Sequence, residues 1–385
     1  MTLNAAVTPR EVHRTAGGSA VEAATDRAGG VLLYPLLFAP ILQYRLWGGR
    51  RLAELLSTPP DVDGPIGEAW LLSDRPDHQS RVVAGALAGL TLGELLEEYP
   101  EQMLGRLAGR FRRFPVLLKF LDAHELLSVQ VHPSDEQADH LPAGETGKTE
   151  AWVVLEAGPE SRIYAGLRPG TTPGDLRAAL ATGAIAGQLV GFTPKPGDGL
   201  FLPAGTVHSL GGDLVVLEVQ ENSDVTFRLH DWDRVDPATG LQRALQIDEA
   251  LTCIDFDQGV LAPVRPLLEA DAPARRERLF DCEQFCLWRI QGELPFTVGA
   301  AGLPRVLVCI AGSGEVEHGG ASHPIGFGDV MLLPAMVGEC TVRPRGPLSV
   351  VEVALPEVPA TTVADGPPGS AALLGVTAPE GMRRT

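Results

Sequence analysis

Six short β-prone runs follow one another through the middle of the chain: ELLSVQVHP (125–133), EAWVVLEAG (150–158), SRIYAGL (161–167), DGLFLPAG (198–205), DLVVLEVQ (213–220) and VTFRLH (225–230). Each is bounded by glycine, proline or aspartate, so the backbone is turned back before a long element can form, the rhythm of an antiparallel barrel or sandwich. A second series starts near residue 265 and runs through RVLVCIAGSGEV, GDVMLLPA and LSVVEVAL. With 385 residues the chain exceeds one ordinary core, and two packed units are expected. The 44 glycines and 32 prolines fit a turn-rich, strand-heavy globular protein.

The expected organisation is a loose arm over 1–30, a first unit over 31–260, a second β unit over 265–356 and an extended tail over 357–385. Two helices interrupt the first unit. TLGELLEEYPEQMLGRL (91–107) has helical spacing with Thr91 as N-cap and Glu94 completing a capping box. In TTPGDLRAALATGAIAGQLV (171–190), Leu176, Leu180 and Ile185 follow a Thr-Pro start and predict a short helix over about 172–186, laid over the barrel mouth. The two β series read as a degenerate repeat. PGDGLFLPAGTVH (196–208) aligns with FGDVMLLPAMVGE (327–339), matching Gly197 with Gly328, Asp198 with Asp329, Pro203 with Pro334 and His208 with Glu339. VLEAG (154–158) against VCIAG (308–312) then sets Glu150 against Pro304. The second copy keeps the turns and loses the candidate ligands, which makes it a structural partner.

A net charge of −18 repels nucleic acid and anionic membrane, so a phosphate on a substrate must be met by a local cationic pocket. Five scattered cysteines, Cys253, Cys282, Cys286, Cys309 and Cys340, do not form a disulfide framework, and a reducing cytoplasm is expected. The longest apolar run, VLLYPLLFAPIL (31–42), is too short and too interrupted by proline to span a bilayer, and the N-terminal segment has no signal pattern.

Residues two apart on a strand point to one face, about 6 to 7 Å apart along it. Gln130 and His132 therefore share a direction before Pro133 ends the ladder. Alone, such a histidine reads as a hydrogen-bonded core residue. GKTEAW adds Glu150 at a strand start, and PGDGLFLPAGTVHSL adds His208 after a Pro-Ala-Gly turn. Gly197, Pro203, Gly205 and His208 have the spacing of a cupin-barrel motif.

The ordered set WGG (47–49), GEAWLLS, FPVLLKFLDA, LSVQVHP, GKTEAW, PAGTVHSL and ENSDVTFRLHDWDR resembles type I mannose-6-phosphate isomerase, the zinc-dependent cupin family, in its short bacterial form. The likeness covers about 33–235 and, more weakly, the second series. It implies a mainly β fold of two cupin-type jelly-roll barrels, with a small helical segment in or beside the first. It also implies one Zn²⁺ per chain on Gln130, His132, Glu150 and His208, and interconversion of mannose 6-phosphate and fructose 6-phosphate through a cis-enediol or enediolate. Two imidazoles and a carboxylate suit Zn²⁺, and a neutral glutamine leaves Glu150 as the only anionic donor. The reaction needs a base, an acid and positive charge beside the oxygens. The resemblance gives Arg228, Glu218 and Lys148 catalytic roles and places Ser128 and Lys148 against substrate; read by themselves they are an ion-paired arginine, a surface carboxylate, a solvated lysine and a packed hydroxyl.

The basic run GRLAGRFRRFP (105–115) reads as a solvated helix end, and CEQFC (282–286) as strand packing. Other readings of the same residues are a metal-dependent cupin epimerase or isomerase of different specificity, an Fe(II) oxygenase, disfavoured by the glutamine, and a non-catalytic sugar-binding cupin. The expected partner is a small sugar phosphate, with no nucleic acid or membrane, and the chain acts as a monomer or weak homodimer.

Overall fold

The computed structural model describes residues 33–56, 64–142, 144–237 and 239–356; the expected arm (1–30) and tail (357–385) lie outside the described residues. The chain is mainly β. A six-stranded antiparallel sheet runs in the order Gly199–Leu202, Glu150–Ala157, Leu214–Glu221, Val116–Ala123, Ile41–Gly49, Ile66–Leu72. Against it stands a five-stranded sheet ordered Leu189–Phe192, Arg162–Leu167, His208–Gly211, Val129–Val131, Phe227–His230. The second series supplies a seven-stranded sheet and a four-stranded one. The seven-stranded sheet takes its edge strand, Leu36–Phe38, from the N-terminal segment, with Leu36 opposite Leu332 and Phe38 opposite Val330.

Strand parity explains why the central strands read as continuous apolar runs: both faces of the six-stranded sheet are covered. Leu121, Ala123, Trp152, Val154, Leu214 and Val216 point between the two sheets of the first unit, where they meet Ile163, Ala165 and Leu210. Their neighbours Leu118, Phe120, Ala151, Val153, Leu217 and Val219 point the other way, into a core shared with Leu279, Phe280, Leu307 and Met331 of the second series. Close approach of two strands is made possible by Gly48 and Gly67: a Cβ on Gly48 would stand 2.4 Å from the Gly67 nitrogen.

The predicted helix over 91–107 is three pieces: Leu92–Glu98, Pro100–Leu104 and a 3-10 turn Gly105–Leu107. Thr91 and Glu94 form the expected capping box. The break comes at Tyr99, which takes φ −131°, ψ 50° because the following proline ring excludes the helical region. The second helix spans Pro173–Ala181, and Ile185–Gln188 is a separate 3-10 turn. Its position corrects the expectation of a helix over the barrel mouth. Leu176 packs with Val129, Val131, Leu189 and Leu229 on the outer face of the five-stranded sheet, because those β-branched and leucine side chains alternate with the polar residues facing inward.

The repeat is reproduced bond for bond at its turns. Asp198 Oδ2 accepts from Lys195 N at 2.8 Å, and Asp329 Oδ2 accepts from Gly326 N at 2.8 Å. Gly197 and Gly328 both take positive φ, 90° and 84°. Strand register shifts one correspondence: Leu202 stands opposite Glu150 and Leu333 opposite Arg305, so the counterpart of Glu150 is Arg305 and not Pro304.

Candidate metal centre

Each candidate ligand sits where the strand ladder puts it. His208 opens its strand with its Cα partnered to Gln130, and Gln130 stands in turn beside Arg228. Glu150 lies across from Leu202 on one side and Gln220 on the other. The result is one ligand atom each from His132, Glu150 and His208, all within 4.8 Å of one another, on side chains no more than 2% exposed.

Both imidazoles are set with the same nitrogen inward. His132 Nδ1 is 2.7 Å from the Val225 carbonyl and His208 Nδ1 is 2.9 Å from the Thr206 carbonyl. A carbonyl can only accept, so Nδ1 carries the proton and Nε2 presents its lone pair to the centre. The two Nε2 atoms lie 3.5 Å and 3.3 Å from Glu150 Oε2 and Oε1. Burial, then the Lys148 charge, keeps His132 neutral by pushing its pKa well below the ordinary value, and burial does the same to His208 against the pull of Glu150.

Glu150 is the decisive group. Burial alone would raise its pKa, but the Lys148 charge holds it below the ordinary value, so it is a carboxylate. Lys148 Nζ pairs with Oε2 at 2.9 Å, while the buried Oε1 has no hydrogen-bond partner. A buried carboxylate oxygen left without a partner is costly unless a donor or a second cation meets it. Two inward Nε2 atoms and a buried carboxylate with an unpartnered Oε1 fit a small divalent ion.

Gln130 stands beside these three residues. Its Nε2 is 3.2 Å from His208 Nε2, and its Oε1 accepts from Ser128 Oγ at 3.0 Å. Ser128 thus touches the amide, buried beneath it. Lys148 Nζ is also 3.2 Å from His132 Nε2. Glu218 shares the inner face: Trp152 Nε1 donates to its Oε2 at 3.0 Å, and Lys119 Nζ lies 3.5 Å from its Oε1. Burial, then repulsion from Glu150, raises the Glu218 pKa. Arg228 donates from Nη1 to the Ala244 carbonyl at 3.1 Å, and burial lowers its pKa to about 10.

Lys119, Glu68 and Arg45 extend this polar interior and were not singled out from the sequence. Lys119 lies 4.9 Å over the Trp70 ring, and Arg45 grips both oxygens of Glu68. The available signal was one lysine at inward parity inside the otherwise apolar strand VLLKFLDA. His78, His124, His230, His318 and His323 form no further three-membered ligand group among the described residues.

A family model for phosphomannose isomerase type I, catalytic domain, matches residues 36–150. Mannose-6-phosphate isomerase ManA of Bacillus subtilis (strain 168) is 36% identical over 310 residues, 79% of this chain and 94% of that protein. The chain belongs to the type I mannose-6-phosphate isomerase family. Another member, the mannose-6-phosphate isomerase of Streptococcus mutans, is 32% identical over 305 residues, 78% of this chain and 92% of that one. The crystal structure of the B. subtilis mannose 6-phosphate isomerase superposes with a TM-score of 0.77 at 28% identity, covering 84% of this chain and 100% of that one. In this type I family member the residues that carried the resemblance, Gln130, His132, Glu150 and His208, are those the strands bring together. No helix among the described residues is long and apolar enough to cross a membrane.

Proposed function

We propose that the chain interconverts mannose 6-phosphate and fructose 6-phosphate at this centre, with one Zn²⁺ held by His132, Glu150, His208 and Gln130. The observation that carries the reading is the buried group His132, Glu150 and His208, whose ligand atoms lie within 4.8 Å of one another. When bound, the ion supplies Lewis-acid polarisation of the sugar oxygens and balances negative charge on the enediolate. With Gln130 neutral, one carboxylate leaves the centre a net charge near +1.

The protein's own side chains do the rest. For Gln130 to offer its oxygen, its amide turns by half a revolution, and the Ser128 hydroxyl then accepts from Nε2 instead of donating to Oε1. The Lys148 ammonium, which lies 2.9 Å from Glu150 Oε2 and 3.2 Å from His132 Nε2, would pair with an anionic oxygen of the substrate or with its phosphate. Glu218, oriented by the Trp152 indole and Lys119, takes the proton from one carbon and returns it to the other. Arg228 brings positive charge to the oxygens, and Ser128 contacts the sugar. Residues 31–260 carry this chemistry and 265–356 support it.

The test is turnover of mannose 6-phosphate by the metal-loaded chain and by Arg228→Ala and Glu218→Gln, with folding followed by circular dichroism. Each substitution is expected to reduce kcat by about 10² or more with the fold intact. A metal-loaded wild type that does not isomerise mannose 6-phosphate overturns the assignment, and an unchanged kcat in either variant removes that residue from it.

A further inference from the structure

Arg228 lies on Phe227–His230, the edge strand of the five-stranded sheet, and only one side of it is paired by a strand. Its other side is covered by a short segment that bonds Arg228 three times. Arg228 N donates to Gln246 Oε1 at 3.1 Å, Gln246 N donates to the Arg228 carbonyl at 2.9 Å, and Arg228 Nη1 donates to the Ala244 carbonyl at 3.1 Å. A glutamine side chain thus takes the place of the missing strand's acceptor, and the same segment sets the plane of the guanidinium.

The segment is anchored at both ends. Before it, Arg243 Nε donates to Asp231 Oδ2 at 2.8 Å and its Nη2 to Oδ1, closing the loop onto the end of the Arg228 strand. After it, Gln246 accepts from Ala250 N at 2.9 Å and begins the helix Ile247–Cys253. Ala250 and Cys253 of that helix pack on Val129, Val131 and Leu229.

All the acceptors that touch Arg228 are neutral. Among the described residues no carboxylate comes within ion-pair distance of it, and its buried Nε has no hydrogen-bond partner. The guanidinium itself is held only by the Ala244 carbonyl, a neutral acceptor, and keeps its charge for an anionic group. We propose that Gln246 is a positioning residue for Arg228: its side-chain oxygen and backbone N–H fix the Arg228 backbone against the segment whose Ala244 carbonyl takes the guanidinium. This rests on the assignment of Arg228 to the reaction.

The experiment measures kcat and KM for mannose 6-phosphate on the metal-loaded full chain carrying Gln246→Ala, Gln246→Glu, Arg228→Ala, or Arg228→Ala with Gln246→Ala. Gln246→Ala keeps the backbone bond but loses the side-chain acceptor, and should lower kcat about ten-fold or more with KM within about two-fold. Gln246→Glu keeps an acceptor for the Arg228 backbone N–H, which the Gln246 side chain bonds rather than the guanidinium, and should hold kcat to within about three-fold of wild type, which separates positioning from a folding defect. In the Arg228→Ala background the Gln246→Ala change should add no further loss. Equal losses in both backgrounds, or an unchanged kcat in Gln246→Ala, would overturn the positioning role while leaving Arg228 in place. An unchanged kcat in Arg228→Ala would remove the assignment beneath it, whatever Gln246 does.

Discussion

Replacing Glu68 by glutamine tests whether the polar interior beside the centre is held by charge. Arg45 Nε and Nη2 donate to the two oxygens of Glu68 at 2.9 Å each, and Trp70 Nε1 donates to Oε2 at 2.7 Å. The side chain is 12% exposed, so solvent screens the pair little. Burial alone would raise the pKa, but Arg45 and then Lys119 overcome it and hold Glu68 at about 2, against an ordinary 4.5. The unfolded chain binds more protons than the folded one between those values. The stabilisation is therefore complete above pH 4.5 and is lost as pH falls through about 2. The gap corresponds to about 3 kcal/mol at pH 7. Glutamine keeps one acceptor for Trp70 or Arg45 and loses the charge, so urea unfolding should show Glu68→Gln less stable by about 2 to 3 kcal/mol at pH 7. At pH 3 the difference should shrink to less than half, because much of the linkage is gone in the wild type. The same loss at both pH values, or none at pH 7, would refute the charge argument.

Glu221 has the opposite sign. It is pushed up to about 7, chiefly by burial, so the folded state keeps its proton where the unfolded state gives it up. Stability contributed at this position falls as pH rises from 4.5 to about 7, and Glu221→Gln should raise Tm at pH 8 and change it little at pH 4.5; a shift of the same size at both would contradict this. Thr91→Ala removes the hydroxyl of the capping box in the helix Leu92–Glu98 and should cost about 1 kcal/mol in chemical denaturation without changing kcat. His208→Ala takes away one inward lone pair, and isothermal titration with Zn²⁺ should show affinity lower by about 10² or more, an unaltered affinity ruling His208 out as a ligand.

The parts of this site legible in the sequence were those governed by period and turn chemistry. Gln130 and His132 share a face because strands alternate, and His208 follows a Pro-Ala-Gly turn that delivers it to the next ladder position. What could not be read was set by neighbours distant along the chain. Lys119 stands in the interior only because Glu68, Trp70 and Glu218 come from two other strands to meet it. The helix Pro173–Ala181 lies outside the five-stranded sheet because Val129, Val131 and Leu229 offer it an apolar face there, a fact of tertiary packing. Alignment of the repeat by letters put Pro304 opposite Glu150, and only the pairing of Leu333 with Arg305 moves the match by one residue. Gln246 carried no signal at all, since a glutamine serving as the acceptor of an edge strand has no sequence pattern.

His132, Glu150 and His208, with Gln130 beside them, should hold one divalent ion on which isomerisation depends. Zinc content by mass spectrometry, taken together with mannose 6-phosphate turnover before chelation, after chelation and after restoration of zinc, tests it in a single preparation. One ion per chain is expected, with activity that disappears with the ion and returns with it, and no ion retained by Glu150→Gln. Full activity in a chain shown to be metal-free would contradict it.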